Sequence, residues 1–205
     1  NFEEAVAEYK AAIQLNDKFA DLHLALGRTL LAMEDYSNAI DEFIQANALN
    51  PTDPLPETYI ARAYVKIGEY AKAIQYAEEA VNNNPGDPYM YGNLGSMLYR
   101  NQQYSDAIDA LRMAIRGGTT EDGITVEGLP LDYTMRIMEF YYTYGLALAR
   151  LNQCGEAVQI AQTILQTVMD DETSVYNAQE MINICQANLG ATPTSEVVVD
   201  LTPTP

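Results

Sequence analysis

Four alanines, Ala5, Ala39, Ala73 and Ala107, are separated by equal steps of 34 residues. A fixed period of that length constrains the fold more than any composition does. Each period is one supersecondary unit that cannot bury its apolar face alone and has to stack on a neighbour of the same design. The surrounding words agree. "NFEEAVAEYKAAIQLND", "DYSNAIDEFIQANALNP", "EYAKAIQYAEEAVNNNP" and "QYSDAIDALRMAIRGGT" each open near an aromatic (Phe2, Tyr36, Tyr70, Tyr104) and carry apolar residues at helical spacing. Upstream of the second, third and fourth lie "LHLALGRTLLAME", "TYIARAYVKIG" and "YGNLGSMLYRN". These predict helices with a small residue, Gly27, Ala61 or Gly95, at one fixed place. A small residue there lets a neighbouring helix come close.

Together these positions resemble the tetratricopeptide repeat family. The small residue of the first helix, the turn aromatic, the alanine three later and a second small position (Ala12, Ala46, Ala80, Ala114) fall in that family's register, as do the closing prolines Pro51 and Pro85. The resemblance covers residues 1–118 and then breaks. Ala157, the next turn alanine, follows Ala107 by 50 residues, an excess of 16 over the period. "YYTYGLALARLNQCGEAVQIAQTIL" restores the pattern with Gly145, with Cys154 in the aromatic's place. The resemblance implies an all-α, right-handed superhelical solenoid of antiparallel helix pairs, with a short β-prone insertion and a β-prone C-terminal tail. The expected divisions are a second helix of a split repeat (1–19), repeats over 20–53, 54–87 and 88–118, the insertion (119–132), a repeat (133–170), a lone helix (171–190) and a Thr/Pro-rich tail (191–205) with a strand over 196–201.

Charge and motifs narrow the function. With 11 Lys plus Arg against 29 Asp plus Glu, a net charge of −18 disfavours nucleic acid and anionic membrane surfaces, which call for clustered cations. No apolar run approaches the ~18 residues of a membrane helix. One histidine, His23, one turn before Gly27, reads as a packed residue, and no phosphate loop, metal-binding spacing or nucleophile motif occurs. The expectation is a non-enzymatic interaction scaffold that needs no cofactor and no metal. Cys154 and Cys185 read as buried thiols, with a bond between them left open.

The two ends raise a further expectation. The chain starts with a second helix lacking its first and ends its helical part with a first helix lacking its second. Joined, "ANLG" and "NFEEAV" reproduce the register of "VKIGEYAKAI". Apolar faces formed by Phe2, Val6, Tyr9 and Ile13 at one end, and by Met181, Ile182 and Leu189 at the other, would then cover one another between copies. Contact between two different patches propagates, so the expected product is a head-to-tail filament. The competing reading is a truncated first repeat and an ordinary polar cap, since Asn183 stands where a small residue is preferred.

"GITVEGLPL" and "SEVVVDL" read as strands through Ile124 and Val126, and through Val197, Val199 and Leu201, which would pair with each other within or between chains. Thr-Pro units around the second equally suit a linker. They lean towards an extracellular or cell-envelope location, with the cytoplasm open.

The family resemblance also implies a peptide-binding concave surface lined by first helices. Its inward positions here hold Arg28, Arg62, Lys66, Arg100 and Arg150, with Tyr89, Tyr99 and Tyr142. Such a stripe suits an acidic or C-terminal peptide. The family's clamp for chaperone C-termini uses a Lys and Asn pair on its first groove helix. Leu24 and Arg28 occupy those places, and Asn93 alone matches a clamp position, so that adaptor class is disfavoured.

Overall fold

The computed structural model describes residues 1–190, and within them ten helices and one two-stranded ribbon. In chain order these are α1 (Phe2–Leu15), α2 (Ala20–Ala32), α3 (Tyr36–Leu49), α4 (Pro54–Lys66), α5 (Tyr70–Asn83), α6 (Pro88–Arg100), α7 (Tyr104–Arg116), β1 (Gly118–Thr119), β2 (Thr125–Val126), α8 (Met135–Arg150), α9 (Cys154–Thr167) and α10 (Glu172–Gly190). Each helix packs on the one before and the one after. The even-numbered helices also touch each other in series, α2 on α4, α4 on α6, α6 on α8 and α8 on α10, which lines them along one side of a solenoid.

Local sequence sets the joints. Pro54 and Pro88 stand in the first turns of α4 and α6, where the missing N–H has no helical partner to lose. Asp53 and Asp87 cap these helices, their Oδ1 atoms accepting from Leu55 N at 3.0 Å and Tyr89 N at 2.9 Å. At the other end α2, α4, α6 and α8 stop alike: Glu34, Gly68, Gln102 and Asn152 all take positive φ, between 58° and 81°. The next residue's N–H then reaches back to Leu30, Tyr64, Leu98 and Leu148 carbonyls at 2.9–3.0 Å, the bond that closes a helix with a left-handed residue. That stop turns the chain straight into the following helix.

Packing then exploits the small residues. A methyl group at Gly27 would lie 2.6 Å from Phe43 Cε1 on α3; at Gly95 it would press on Leu111 of α7, and at Gly145 on Met181 of α10. Each large side chain fills the space that the missing Cβ leaves. Leu26, Leu30, Ile40, Phe43 and Ile60 form the N-terminal core, and a larger one runs from Ala61 to Cys185.

The 16 inserted residues make a hairpin that stays with its own repeat. β2 pairs antiparallel with β1, Gly118 opposite Val126 and Thr119 opposite Thr125, so the strand predicted around Ile124 and Val126 finds a partner just upstream. The strand is also shorter than the alternating pattern suggested, because Gly123 at positive φ closes a tight turn directly before Ile124. Val126 is buried, whereas Ile124 is 38% exposed. Val197, Val199 and Leu201, the proposed second strand, lie outside the described residues. Gly117 and Gly128 let the two backbones touch, since a Cβ on Gly117 would sit 2.7 Å from Gly128 N. Beyond the hairpin, the Leu129 carbonyl accepts from the Tyr141 hydroxyl at 2.9 Å and ties the insertion to α8.

The ends differ from expectation in one respect. On α1, Phe2 is 54% exposed, while Val6, Tyr9 and Ile13 are half-buried against the N-terminal core. At the other end Met181 is fully buried and Ile182 packs against the same C-terminal core, because α10 presents its apolar side to α8 and α9 of its own chain. Met181 and Ile182 are therefore not an open apolar face, and only Leu189 of that trio is well exposed. The outward side of α10 carries Gln179 and Asn183, hydrogen-bonded to each other at 3.1 Å, as a polar cap requires. Cys154 and Cys185, expected as thiols, are joined in a disulfide that pins α10 to the start of α9, with Cα atoms 5.4 Å apart.

Glu57 on α4 is nearly buried, with both carboxyl oxygens accepting from Asn83 Nδ2 at 2.8 and 2.9 Å. Burial pushes its pKa above the usual glutamate value, more than these hydrogen bonds pull it down. The folded state thus holds the proton more tightly than the unfolded chain, so stability falls as pH rises from the unfolded pKa through the raised folded one.

Three outcomes follow. Glu57→Gln stabilises the protein at neutral pH and loses that advantage near pH 4, measured by urea unfolding at both values. Glu34→Gly or Gln102→Gly, which relieves a left-handed non-glycine residue, raises stability by about 0.5–1 kcal/mol, whereas Gly68→Ala lowers it. Reducing the disulfide, which closes a loop with a sequence separation of 31, costs about 3–4 kcal/mol and lowers the thermal midpoint.

Candidate functional site

The side lined by α2, α4, α6 and α8 carries Arg28, Arg62, Lys66, Arg100 and Arg136, five of the chain's 11 Lys plus Arg. Arg28 and Arg62 each follow the small residue of their helix by one position, which turns them away from the packed interface. Their guanidinium carbons lie 5.6 and 5.7 Å from the ring centroid of Tyr59, so one tyrosine serves as a plate for two arginines. Phe43 stacks with the same ring, centroids 5.2 Å apart, and fixes it to the N-terminal core. Lys66 lies one turn beyond Arg62.

α8 supplies the other half of the surface. Relative to Gly145 it begins three residues earlier than α4 does relative to Ala61 or α6 relative to Gly95, and this extra turn carries Arg136. Arg136 Nη1 donates to Asn93 Oδ1 on α6 at 2.6 Å. Arg100 Nη2 stands 3.5 Å from Glu139 Oε1, a pair exposed enough to contribute roughly 1 kcal/mol or less. Gly92 permits this approach of α6 and α8, since a Cβ there would collide with the Phe140 ring.

Three adjoining clefts result, and Arg62 lines all of them. The first lies between α4, α6 and α8 and includes Lys66, Asn93, Ser96, Arg100 and Arg136; the second includes Arg28 and Tyr59; the third includes Tyr59, Tyr89 and Arg136. Burial, and then the neighbouring Arg136 charge, holds the Arg62 pKa below the usual arginine range. The group stays protonated, but its charge is poorly compensated. Among the described residues, no carboxylate lies within ion-pair distance of Arg28, Arg62, Lys66 or Arg136.

Arg28, Arg62, Lys66, Arg100 and Tyr89, expected on this surface, are thus brought together. Tyr142 is half-buried beside Glu139 and Arg100, and burial pushes its pKa up to about 12. Tyr99 instead packs on Tyr104 at the α6–α7 turn, centroids 5.5 Å apart. Arg150, exposed at the end of α8, borders none of the three clefts. Sequence reasoning missed Tyr59, Ser96 and Arg136. Tyr59 was legible as a second aromatic two residues ahead of Ala61, but Arg136 occupies no repeat position and depends on the longer α8.

His23 is buried, its Nδ1 2.7 Å from Glu42 Oε2, which ties α2 to α3. Among the described residues no helix is long and apolar enough to cross a membrane, and no group of three His, Cys, Asp or Glu side chains is arranged to hold a metal.

The chain belongs to the tetratricopeptide repeat family. Models described as tetratricopeptide repeat match residues 20–53 and 60–122, and one described as TPR repeat matches residues 1–34. It is 27% identical over 107 residues to anaphase-promoting complex subunit 6 of Arabidopsis thaliana, covering 52% of this chain and 20% of that protein. It is 30% identical over 91 residues to small glutamine-rich tetratricopeptide repeat-containing protein 2 of Mycosarcoma maydis, covering 44% and 26%. The match therefore spans about a quarter or less of these relatives' own length. In fold it is similar to the crystal structure of YrrB, described as a TPR protein with an unusual peptide-binding site, with a TM-score of 0.64 at 16% identity, covering 89% of this chain and 93% of that one. Proteins of this family mediate protein–protein interaction.

Gly92→Ala forces Phe140 and the start of α8 outward. The expected loss is about 1–3 kcal/mol in chemical denaturation.

Proposed function

We propose that this protein is a non-catalytic recognition module whose concave face holds an acidic, extended segment of a partner protein. One observation carries this reading. On a chain of net charge −18, Arg28, Arg62, Lys66 and Arg136 converge on one surface with no carboxylate in ion-pair reach among the described residues. Cations on an acidic protein normally find acidic neighbours, so a set left without them is matched to a charge that arrives from outside. Tyr59 and Tyr89 add flat apolar area between the charges, which an extended peptide uses between its acidic positions. The YrrB description fits the same use of the fold.

The test is fluorescence anisotropy with a labelled acidic peptide of about ten residues and its charge-reversed counterpart. Binding of the acidic peptide alone is expected, weakening with salt, and falling more than about tenfold in the double variant Arg62→Glu, Arg136→Glu. Equal binding of both peptides, or indifference to the double reversal, defeats the reading.

A second reading is head-to-tail self-assembly into a filament. What supports it is α1, which exposes Phe2 and also Leu15, 90% exposed, with Phe19 just beyond. The acceptor would be the outer face of α10, where Tyr176 is 71% exposed. Light scattering behind a sizing column should then show species that grow with concentration and dissolve in Phe2→Asp; a single monomer at all concentrations removes this reading. A location outside the cytoplasm is part of the same proposal, and the Cys154–Cys185 disulfide supports it, because such bonds persist in oxidising compartments.

A further inference from the structure

The first cleft holds more positive charge than one acidic side chain uses. Arg62 and Lys66 from α4, Arg100 from α6 and Arg136 from α8 surround it, against one carboxylate, Glu139, which Arg100 already engages. The floor is polar as well. Ser96 lines it, is only 8% exposed, and has an Oγ with no hydrogen-bond partner among the described residues. That Oγ is closed to solvent in this rotamer, so a ligand atom gains its hydrogen bond when the Ser96 hydroxyl turns into the cleft. Beside it, Arg136 gives one N–H to Asn93 and keeps its remaining donors.

We infer that this cleft is a recognition site for a doubly charged tetrahedral oxyanion, the phosphoryl group of a phosphorylated side chain on the peptide that occupies the groove. The inference rests on the groove reading above and specifies its anchor. A carboxylate is planar, carries one charge and is satisfied by a single guanidinium fork. A phosphoryl group carries a charge near −2 on three acceptor oxygens, and it can meet two guanidinium groups, an ammonium and a hydroxyl from different directions at once. Arg62 and Arg136 also disfavour each other's charge across the cleft, an effect that adds to burial in lowering the pKa of Arg62. A dianion between them relieves that repulsion more than a monoanion does. The helices that supply the donors are held by buried contacts, Gly92 against Phe140 and Gly95 against Leu111, so the donor set is largely assembled before a ligand arrives. No bond forms or breaks in this step.

Three capped tripeptides, alanine-X-alanine with X as phosphoserine, glutamate or serine, test it when titrated into the isotope-labelled full chain and followed by the arginine side-chain N–H signals. The phosphoserine peptide should bind at least about tenfold more tightly than the glutamate one, with serine silent. Arg136→Gln and Ser96→Ala should each weaken the phosphoserine peptide severalfold, Arg136→Lys should restore part of the loss, and Arg150→Gln should change nothing. Circular dichroism melting confirms that each variant stays folded. Equal affinities for phosphoserine and glutamate, or no binding by either, overturn the inference. The acidic-peptide reading fails separately, in the anisotropy experiment with the longer peptide.

Discussion

Everything in this molecule depends on how closely a pair of consecutive helices can approach. Where Gly27, Gly95 or Gly145 stands, the backbone comes within reach of Phe43, Leu111 or Met181, and a single added methyl group would overlap them. Gly27 with Phe43 and Gly95 with Leu111 share the same spacing and set a first helix on its successor in the same way, whereas Gly145 admits Met181 from α10, two helices further on. Stacking identical pairs leaves the first helices side by side along one surface. The groove is a geometric consequence of those contacts and not a separately specified feature.

Against that regular background, the irregular parts carry the chemistry. An insertion of 16 residues could have been absorbed as a loop, but its hairpin closes on itself and returns through Tyr141 to the body of α8. The helix that follows starts one turn early. That turn places Arg136 against Asn93 and raises the positive charge of the first cleft, where the repeat by itself would supply only Arg62, Lys66 and Arg100. The surface is thus part repeat and part departure from the repeat.

The C-terminal end follows a different logic from the middle. The apolar side of α10 is consumed by α8 and α9, its outer side is amide-rich, and a disulfide fastens it at the α9 start. Met181, which looked like half of an intermolecular seam, is the knob that fills the space above Gly145. The Asn188 amide in turn donates to the Ala149 carbonyl at 3.2 Å and covers the end of α8.

The helix pairs, their register, and the cationic stripe of Arg28, Arg62, Lys66 and Arg100 were all readable in the amino-acid sequence. Each follows from a local rule of spacing or from one residue's conformational preference, and a repeat states such rules several times over. Tertiary structure alone decided that Cys154 meets Cys185, that Met181 is buried by its own chain, that β2 pairs upstream, and that Arg136 joins the groove while Tyr99 and Arg150 leave it. Those outcomes depend on distances between segments far apart in the chain, and in particular on where α8 begins after the insertion. A 34-residue period carries no information about a place where the period is broken.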